Sequence, residues 1–157
     1  METLGMNSAT FYESIVSLGI ATICGVIIGT ERLFAHKTAG MRTYALVSMG
    51  AALFIIISNI IVDNFGANVA DPLRVASTVV TGVGFLGAGL IVLKETTITG
   101  VTTASSIWVS AGIGMAAGFG LHGLAIAATV ITLLIFVGLW YIEEKLRRVI
   151  KDYNVED

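Results

Sequence analysis

Long stretches without a formal charge, separated by short charged interruptions, set the pattern of this chain. No Asp, Glu, Lys or Arg falls within Ser14–Thr30, Thr43–Val62, Val75–Leu93 or Thr96–Ile142. A helix needs roughly 20 apolar residues to cross the hydrocarbon core of a bilayer. The last run is long enough for two crossings and is broken at Gly118-Phe119-Gly120-Leu121-His122-Gly123. The pattern predicts an all-α polytopic membrane protein with five transmembrane helices. Residues 1–142 would form the membrane domain and 143–157 a short cytoplasmic amphipathic tail, in which Leu146, Val149 and Ile150 share one side.

Composition agrees with this reading. Of 157 residues, 55% are hydrophobic and 13% charged, with a mean hydropathy of +0.89. A soluble domain carries about a quarter charged residues. Five spans with short loops use nearly the whole length and leave no room for a separate catalytic domain. The chain is therefore expected to be non-enzymatic, without a cofactor and without a nucleic-acid partner. Cys24 is the single cysteine and lies mid-span, so no intrachain disulfide is expected, and a small core residue is the simpler reading. Met1-Glu2-Thr3 lacks the basic start of a cleavable signal peptide, so the first span is expected to persist.

The distribution of cations sets an expected orientation. Arg32, Lys37 and Arg42 follow the first span, Lys94 follows the third, and Lys145, Arg147, Arg148 and Lys151 lie in the tail. Of the nine Lys and Arg residues only Arg74 falls on the other side. Cytoplasmic loops carry the excess of Lys and Arg, which places the N-terminus outside and the C-terminus in the cytoplasm. Trp140 and Tyr141 stand where the fifth span would leave the membrane, as an interfacial aromatic pair should.

Several segments carry candidate chemistry. Gly25 and Gly29 lie one helical turn apart in the first span, and Gly114 and Gly118 repeat the spacing in the fourth, a pattern that lets helices approach closely. Glu31 follows the first span directly, where a carboxylate opposes the helix dipole. It is expected to pair with Arg32, Lys37 or Arg42, as a structural ion pair or as a functional acid. In the third span Gly82, Gly84 and Gly87 match a dinucleotide-binding spacing. They lack its strand, its acidic partner and its aqueous setting, so that reading is rejected. With Gly89 they imply either a smooth packing helix or a broken helix lining a site.

At the outer end, Asp71 followed by Pro72 reads as a helix N-cap and first position. Arg74, a cation in the first turn, is expected to bridge to Asp71 or Asp63. Asp63, Asn64, Asn68 and Asp71 match no metal-ligand motif and read as a solvated loop, and no metal ligand is assigned. The fourth span opens with Gly100-Val-Thr102-Thr103-Ala-Ser105-Ser106-Ile-Trp108, whose hydroxyls either bond across helices or coordinate a small polar ligand. Cys24 and the serines have no His or acid at comparable expected depth, because His122 falls in an outer turn and His36 in an inner loop. Gly29 with Gly89, Gly40 with Gly100, Thr43 with Thr103 and Ala51 with Ala111 align at one constant offset, a parallel internal repeat of two helix pairs.

At these residues the chain resembles the MgtC/SapB family of bacterial inner-membrane proteins. The matching stretches are GVIIGTER (25–32), AGMRTYALVSMGAALF (39–54), DPLR (71–74), TGVGFLGAGLI (81–91) and GVTTASSIWVSAGIGMAAGFG (100–120). The resemblance implies residence in the bacterial cytoplasmic membrane and a role in growth at low magnesium. It further implies virulence-related survival inside host cells, and contacts with other membrane proteins, including the ATP synthase. Carried over by position are Gly25, Gly29, Glu31, Arg32, Gly40, Arg42, Thr43, Asp71, Arg74, Gly82, Gly84, Gly87, Gly89, Thr102, Thr103 and Trp108. The best-known members add a cytoplasmic domain after the fifth span, whereas this sequence stops at Asp157.

Two functions are expected in order. The first is a non-enzymatic regulator acting through membrane-protein contacts, self-associating most simply as a dimer. The alternative is a small oligomeric transporter or channel for magnesium, another cation or a small solute. A charge-paired inner cluster of Glu31, Arg32, Arg42 and Thr43 is expected to position the cytoplasmic loop, with Asp71 and Arg74 as the outer polar pair. Gly25, Gly29, Gly82, Gly84, Gly87, Gly89, Thr102, Thr103 and Trp108 would serve packing or a pathway.

Overall fold

A computed structural model describes residues 7–66 and 68–153. The chain forms α1 (Ser8–Phe34), α2 (Met41–Phe65), α3 (Pro72–Leu90), a hairpin of β1 (Val92–Lys94) and β2 (Thr97–Thr99), α4 (Val101–Gly118) and α5 (His122–Tyr153). It is an all-α polytopic membrane protein. Among the described residues, α1, α2, α3 and α5 are long and apolar enough to cross a membrane. The remaining helix, α4, is shorter and carries Thr102, Thr103, Ser105, Ser106 and Ser110.

This hydroxyl-bearing helix is the central one. α4 packs against each of the other four helices and buries ten of its 18 residues. Its small side chains make this possible, because in lipid helices associate through close packing and hydrogen bonds rather than through escape from water. α2 is gripped from two sides. A Cβ at Gly25 would lie 2.5 Å from the Tyr44 carbonyl oxygen, and one at Gly29 2.5 Å from Met41 Cα. From α4, Gly114 abuts the Ser48 carbonyl, and a Cβ at Gly118 would meet the Ala52 carbonyl at 2.7 Å. Both glycine pairs thus pack as their spacing predicts.

These contacts also fix direction. Gly114 meets Ser48 and Gly118 meets Ala52, so α4 runs parallel to α2. Ser17 meets His122 and Arg32 meets Phe136, so α5 runs parallel to α1. Gly40 and Gly100 are the N-caps of α2 and α4, as the repeat aligning them requires. Arg32, Lys37, Arg42 and Lys94 gather at one end of the bundle, and Asp71 and Arg74 at the other.

Local signals account for the boundaries. Asp71 caps α3, its Oδ1 accepting the Leu73 N–H at 2.9 Å, with Pro72 in the first turn. α1 closes with the Lys37 N–H donating to the Arg32 carbonyl while His36 takes a left-handed conformation (φ 53°). One boundary departs from the charge-free runs. The third span ends at Leu90 rather than Leu93, because the chain turns there into a hairpin that pairs Val92 with Thr99 and Lys94 with Thr97. Its turn uses Glu95 at φ 56°, a residue type that does not advertise a hairpin. α3 itself is an unbroken helix, the smooth rather than the broken of the two readings of its glycines. The tail continues the helical pattern of the fifth span, and α5 runs on to Tyr153. In the tail Leu146 is exposed, while the side chains of Arg147, Val149, Ile150 and Lys151 lie outside the described ones.

Adding one methyl at Gly114 should therefore unseat α4 from α2. Gly114→Ala is expected to lower stability by about 1–3 kcal/mol or to prevent folding. Gly84→Ala, on an open face of α3, should stay within about 0.5 kcal/mol. Thermal unfolding in detergent micelles reads both, and equal stability of the two variants would refute the close contact.

Candidate functional site

Where α1 ends, its last turn sits beside the start of α2, because Gly29 packs on Met41. There the Arg32 side chain is only 5% exposed and makes a two-pronged ion pair with its neighbour Glu31. Nε donates to Oε2, and Nη2 donates to Oε1 at 2.8 Å. The guanidinium also lies 3.5 Å over the ring of Phe136 from α5. Arg32 thus joins α1 to α5 through a cation–π contact while neutralising the carboxylate. Of the three cations near Glu31 in sequence, the structure selects Arg32. Arg42 and Thr43 belong to the same end but are exposed, and they are not drawn into this cluster.

A second polar unit lies one layer inward. Tyr44, buried in α2, hydrogen-bonds through its hydroxyl to Ser106 of α4. Ser106 also donates to the Thr103 carbonyl at 2.9 Å, and Ser110 donates to the Tyr44 carbonyl at 3.2 Å. Ser48 lies one turn along α2 from Tyr44. Its hydroxyl, like that of Ser58, is buried with no partner among the described residues. Two hydroxyls of α4, those of Ser106 and Ser110, engage α2, whereas Ser105 donates to the Val101 carbonyl of its own helix. Thr103 is buried among them, Thr102 is exposed and Trp108 is half-exposed.

The other end is linked by Ser17 of α1 and His122 of α5, whose Oγ and Nε2 are 2.8 Å apart. This corrects the expectation that no serine has a histidine at its depth. Ser17 is buried, so the pair serves as a helix-to-helix link. Arg74 departs from expectation as well. Both Arg74 and Asp71 are exposed, and among the described residues no carboxylate lies within 4.0 Å of Arg74. Asn64 donates to the Ile60 carbonyl at 2.8 Å, and no group of three or more His, Cys, Asp or Glu that could hold a metal occurs among the described residues.

The glycines of α3 divide. Gly87 packs on Ala104, where a Cβ would sit 3.6 Å from its neighbour's, but Gly82, Gly84 and Gly89 have nothing within 4 Å of that position. The smoothness of α3 is therefore not consumed by packing within the chain. Asp71, Arg74 and Gly82 instead line an open groove between α2 and α3. Tyr44, Ser110, Ser17, His122 and Phe136 were not singled out from the sequence. The signal for Tyr44 was its spacing from Ser48, Ala51, Ala52 and Ile55 along one buried face.

A model of the MgtC family matches residues 18–145. YhiD of Escherichia coli K12, described as a candidate magnesium transporter, is 46% identical over 129 residues, covering 78% of this chain and 59% of its own. Protein MgtC of Salmonella typhimurium LT2 is 42% identical over 122 residues, covering 78% of this chain and 50% of its own. Protein MgtC of Brucella abortus is 42% identical over 110 residues, covering 70% and 44%. The chain thus spans about half the length of these relatives. No solved structure matches.

Glu31→Gln would leave a buried guanidinium without its counter-ion, a loss of about 1–3 kcal/mol after allowing for the partial exposure of Glu31. The double variant Glu31→Gln/Arg32→Met should recover most of that loss, since replacing both partners removes the orphan charge. Chemical unfolding of the wild type, Glu31→Gln, Arg32→Met and the double variant in micelles measures the cycle, and strictly additive effects would contradict the pair.

Proposed function

The chain belongs to the MgtC family, and on that premise we propose that it regulates other membrane proteins during adaptation to low magnesium. Its magnesium-related membrane function rests on that membership. In this reading all five helices cross the bacterial cytoplasmic membrane, with the N-terminus outside. The eight basic residues at the Glu31 end and in the tail then face the cytoplasm. The chain carries out no chemistry of its own, uses no cofactor, and acts through helix contacts in the membrane, including a homodimer. The family's association with virulence extends to it on the same basis.

One observation carries the preference for a regulator. The interior between α1, α2 and α4 is closed by backbone-to-backbone contacts at Gly25, Gly29, Gly114 and Gly118, whereas α3 is held on few sides. Only Val83 and Gly87 of α3 are buried, and Phe85 is 80% exposed. Its outward face carries Ser77, Thr81, Gly84 and Ala88, all exposed and small, which suits approach of another helix. The second reading, a transporter, draws on the description of YhiD and would place a path between subunits along α3.

Reconstituted into liposomes with an internal magnesium dye, the protein is expected to give no saturable uptake above protein-free vesicles. Saturable uptake that disappears in Glu31→Gln would overturn the regulator in favour of the transporter. For self-association, Thr81→Cys in native membranes is expected to crosslink into a dimer on mild oxidation, while Leu133→Cys on α5 should not. The reverse pattern would move the interface away from α3.

A further inference from the structure

Between α2 and α3 runs an open groove of about 860 Å³. Val47 and Phe54 of α2 face Val79 and Leu86 of α3 along it, and Gly82 contributes floor without a side chain. Asp71 and Arg74 stand at its mouth, in the first residues of α3. From Arg74 to Leu86 the helix rises about 18 Å. Half the hydrocarbon core of a bilayer measures about 15 Å, the depth reached by one leaflet's acyl chains. The groove therefore begins where headgroups lie and runs as deep as a lipid tail.

Its mouth is more specific than its walls. Arg74 and Asp71 carry opposite charges and line the same opening, yet they do not pair with each other. Asp71 uses one oxygen, Oδ1, for the Leu73 N–H, and no protein partner of Oδ2 occurs among the described residues. A guanidinium is suited to a phosphodiester, and a carboxylate to a primary ammonium. Both groups occur together, a few atoms apart, in the headgroup of an aminophospholipid. An anionic headgroup would satisfy Arg74 but meet repulsion from Asp71. We propose that the α2–α3 groove is a binding site for one phosphatidylethanolamine-type lipid, its phosphate on Arg74, its ammonium on Asp71 and an acyl chain against Gly82.

Native mass spectrometry of the full chain tests this, releasing it from nanodiscs of equal parts phosphatidylethanolamine, phosphatidylglycerol and phosphatidylcholine. The wild-type chain should retain one phosphatidylethanolamine, in about tenfold preference to either other lipid. Arg74→Gln should abolish that preference. Asp71→Asn keeps the helix cap, since Asn caps as well as Asp, and should shift retention toward phosphatidylglycerol. Gly82→Leu fills the floor, where the backbone has open space, and should lower retention of all three lipids about tenfold in protein that remains helical by circular dichroism. Equal retention of the three headgroups by the wild-type chain would overturn the proposal. So would retention unchanged by Gly82→Leu, or a lipid-free dimer that Gly82→Leu dissociates, which would give the groove to a second copy.

Discussion

Everything in this bundle depends on how closely α1 and α4 can approach the backbone of α2. In a bilayer the lipid tails are as apolar as leucine, so burying apolar side chains gives helices little reason to associate. What remains is dispersion between atoms in contact and the hydrogen bonds that contact allows. Both fall away steeply with distance. Glycine at Gly25, Gly29, Gly114 and Gly118 brings two helices against the carbonyls and Cα atoms of Tyr44, Ser48, Met41 and Ala52. At that separation short hydroxyls reach across. Ser110 bonds the Tyr44 carbonyl, and the Tyr44 hydroxyl meets Ser106.

The same constraint explains the unusual distribution of polarity. α4 is the helix richest in Ser and Thr near its start, and it is also the most enclosed. A soluble core would exclude such residues, but a membrane bundle uses them where both donor and acceptor can be supplied by protein. At the two ends of the bundle the links differ in kind. Ser17 with His122 ties α1 to α5 by a hydroxyl–imidazole hydrogen bond, and Arg32 over Phe136 ties the same helices by a cation–π contact. Between these points α5 needs few other polar contacts, and much of its outward surface, including Leu134, Val137 and Trp140, faces lipid.

α3 is the exception that gives the molecule its outward-looking surface. It is capped and terminated as firmly as the other helices, with Asp71 and Pro72 at one end and the turn into the hairpin at the other. Gly100 secures that turn: it adopts φ 89°, and its Cα faces the Leu90 carbonyl so closely that no side chain would fit. Laterally, however, α3 leans on α4 and only loosely on α2, which leaves a groove on one side and a smooth face on the other. The chain thus combines a closed interior with one accessible helix.

The amino-acid sequence by itself determined the solvent, the number of helices, their approximate limits and which charges share an end. Each follows from local terms: the length of charge-free runs, the Asp71-Pro72 start, the glycine break near Gly120, and the bias of Lys and Arg. It also marked the glycine pairs as packing faces, because a one-turn spacing has meaning within a single helix. The fate of Gly82, Gly84 and Gly89 was not legible, since an open face and a packed one have the same composition. Neither was the choice of Arg32 over Lys37 and Arg42 for Glu31, nor the isolation of Arg74. Pairings such as Tyr44 with Ser106, Ser17 with His122 and Arg32 with Phe136 join residues on different helices. Only the tertiary structure decided them, because each depends on the rotation and separation of two helices, and those are set by packing across the whole bundle.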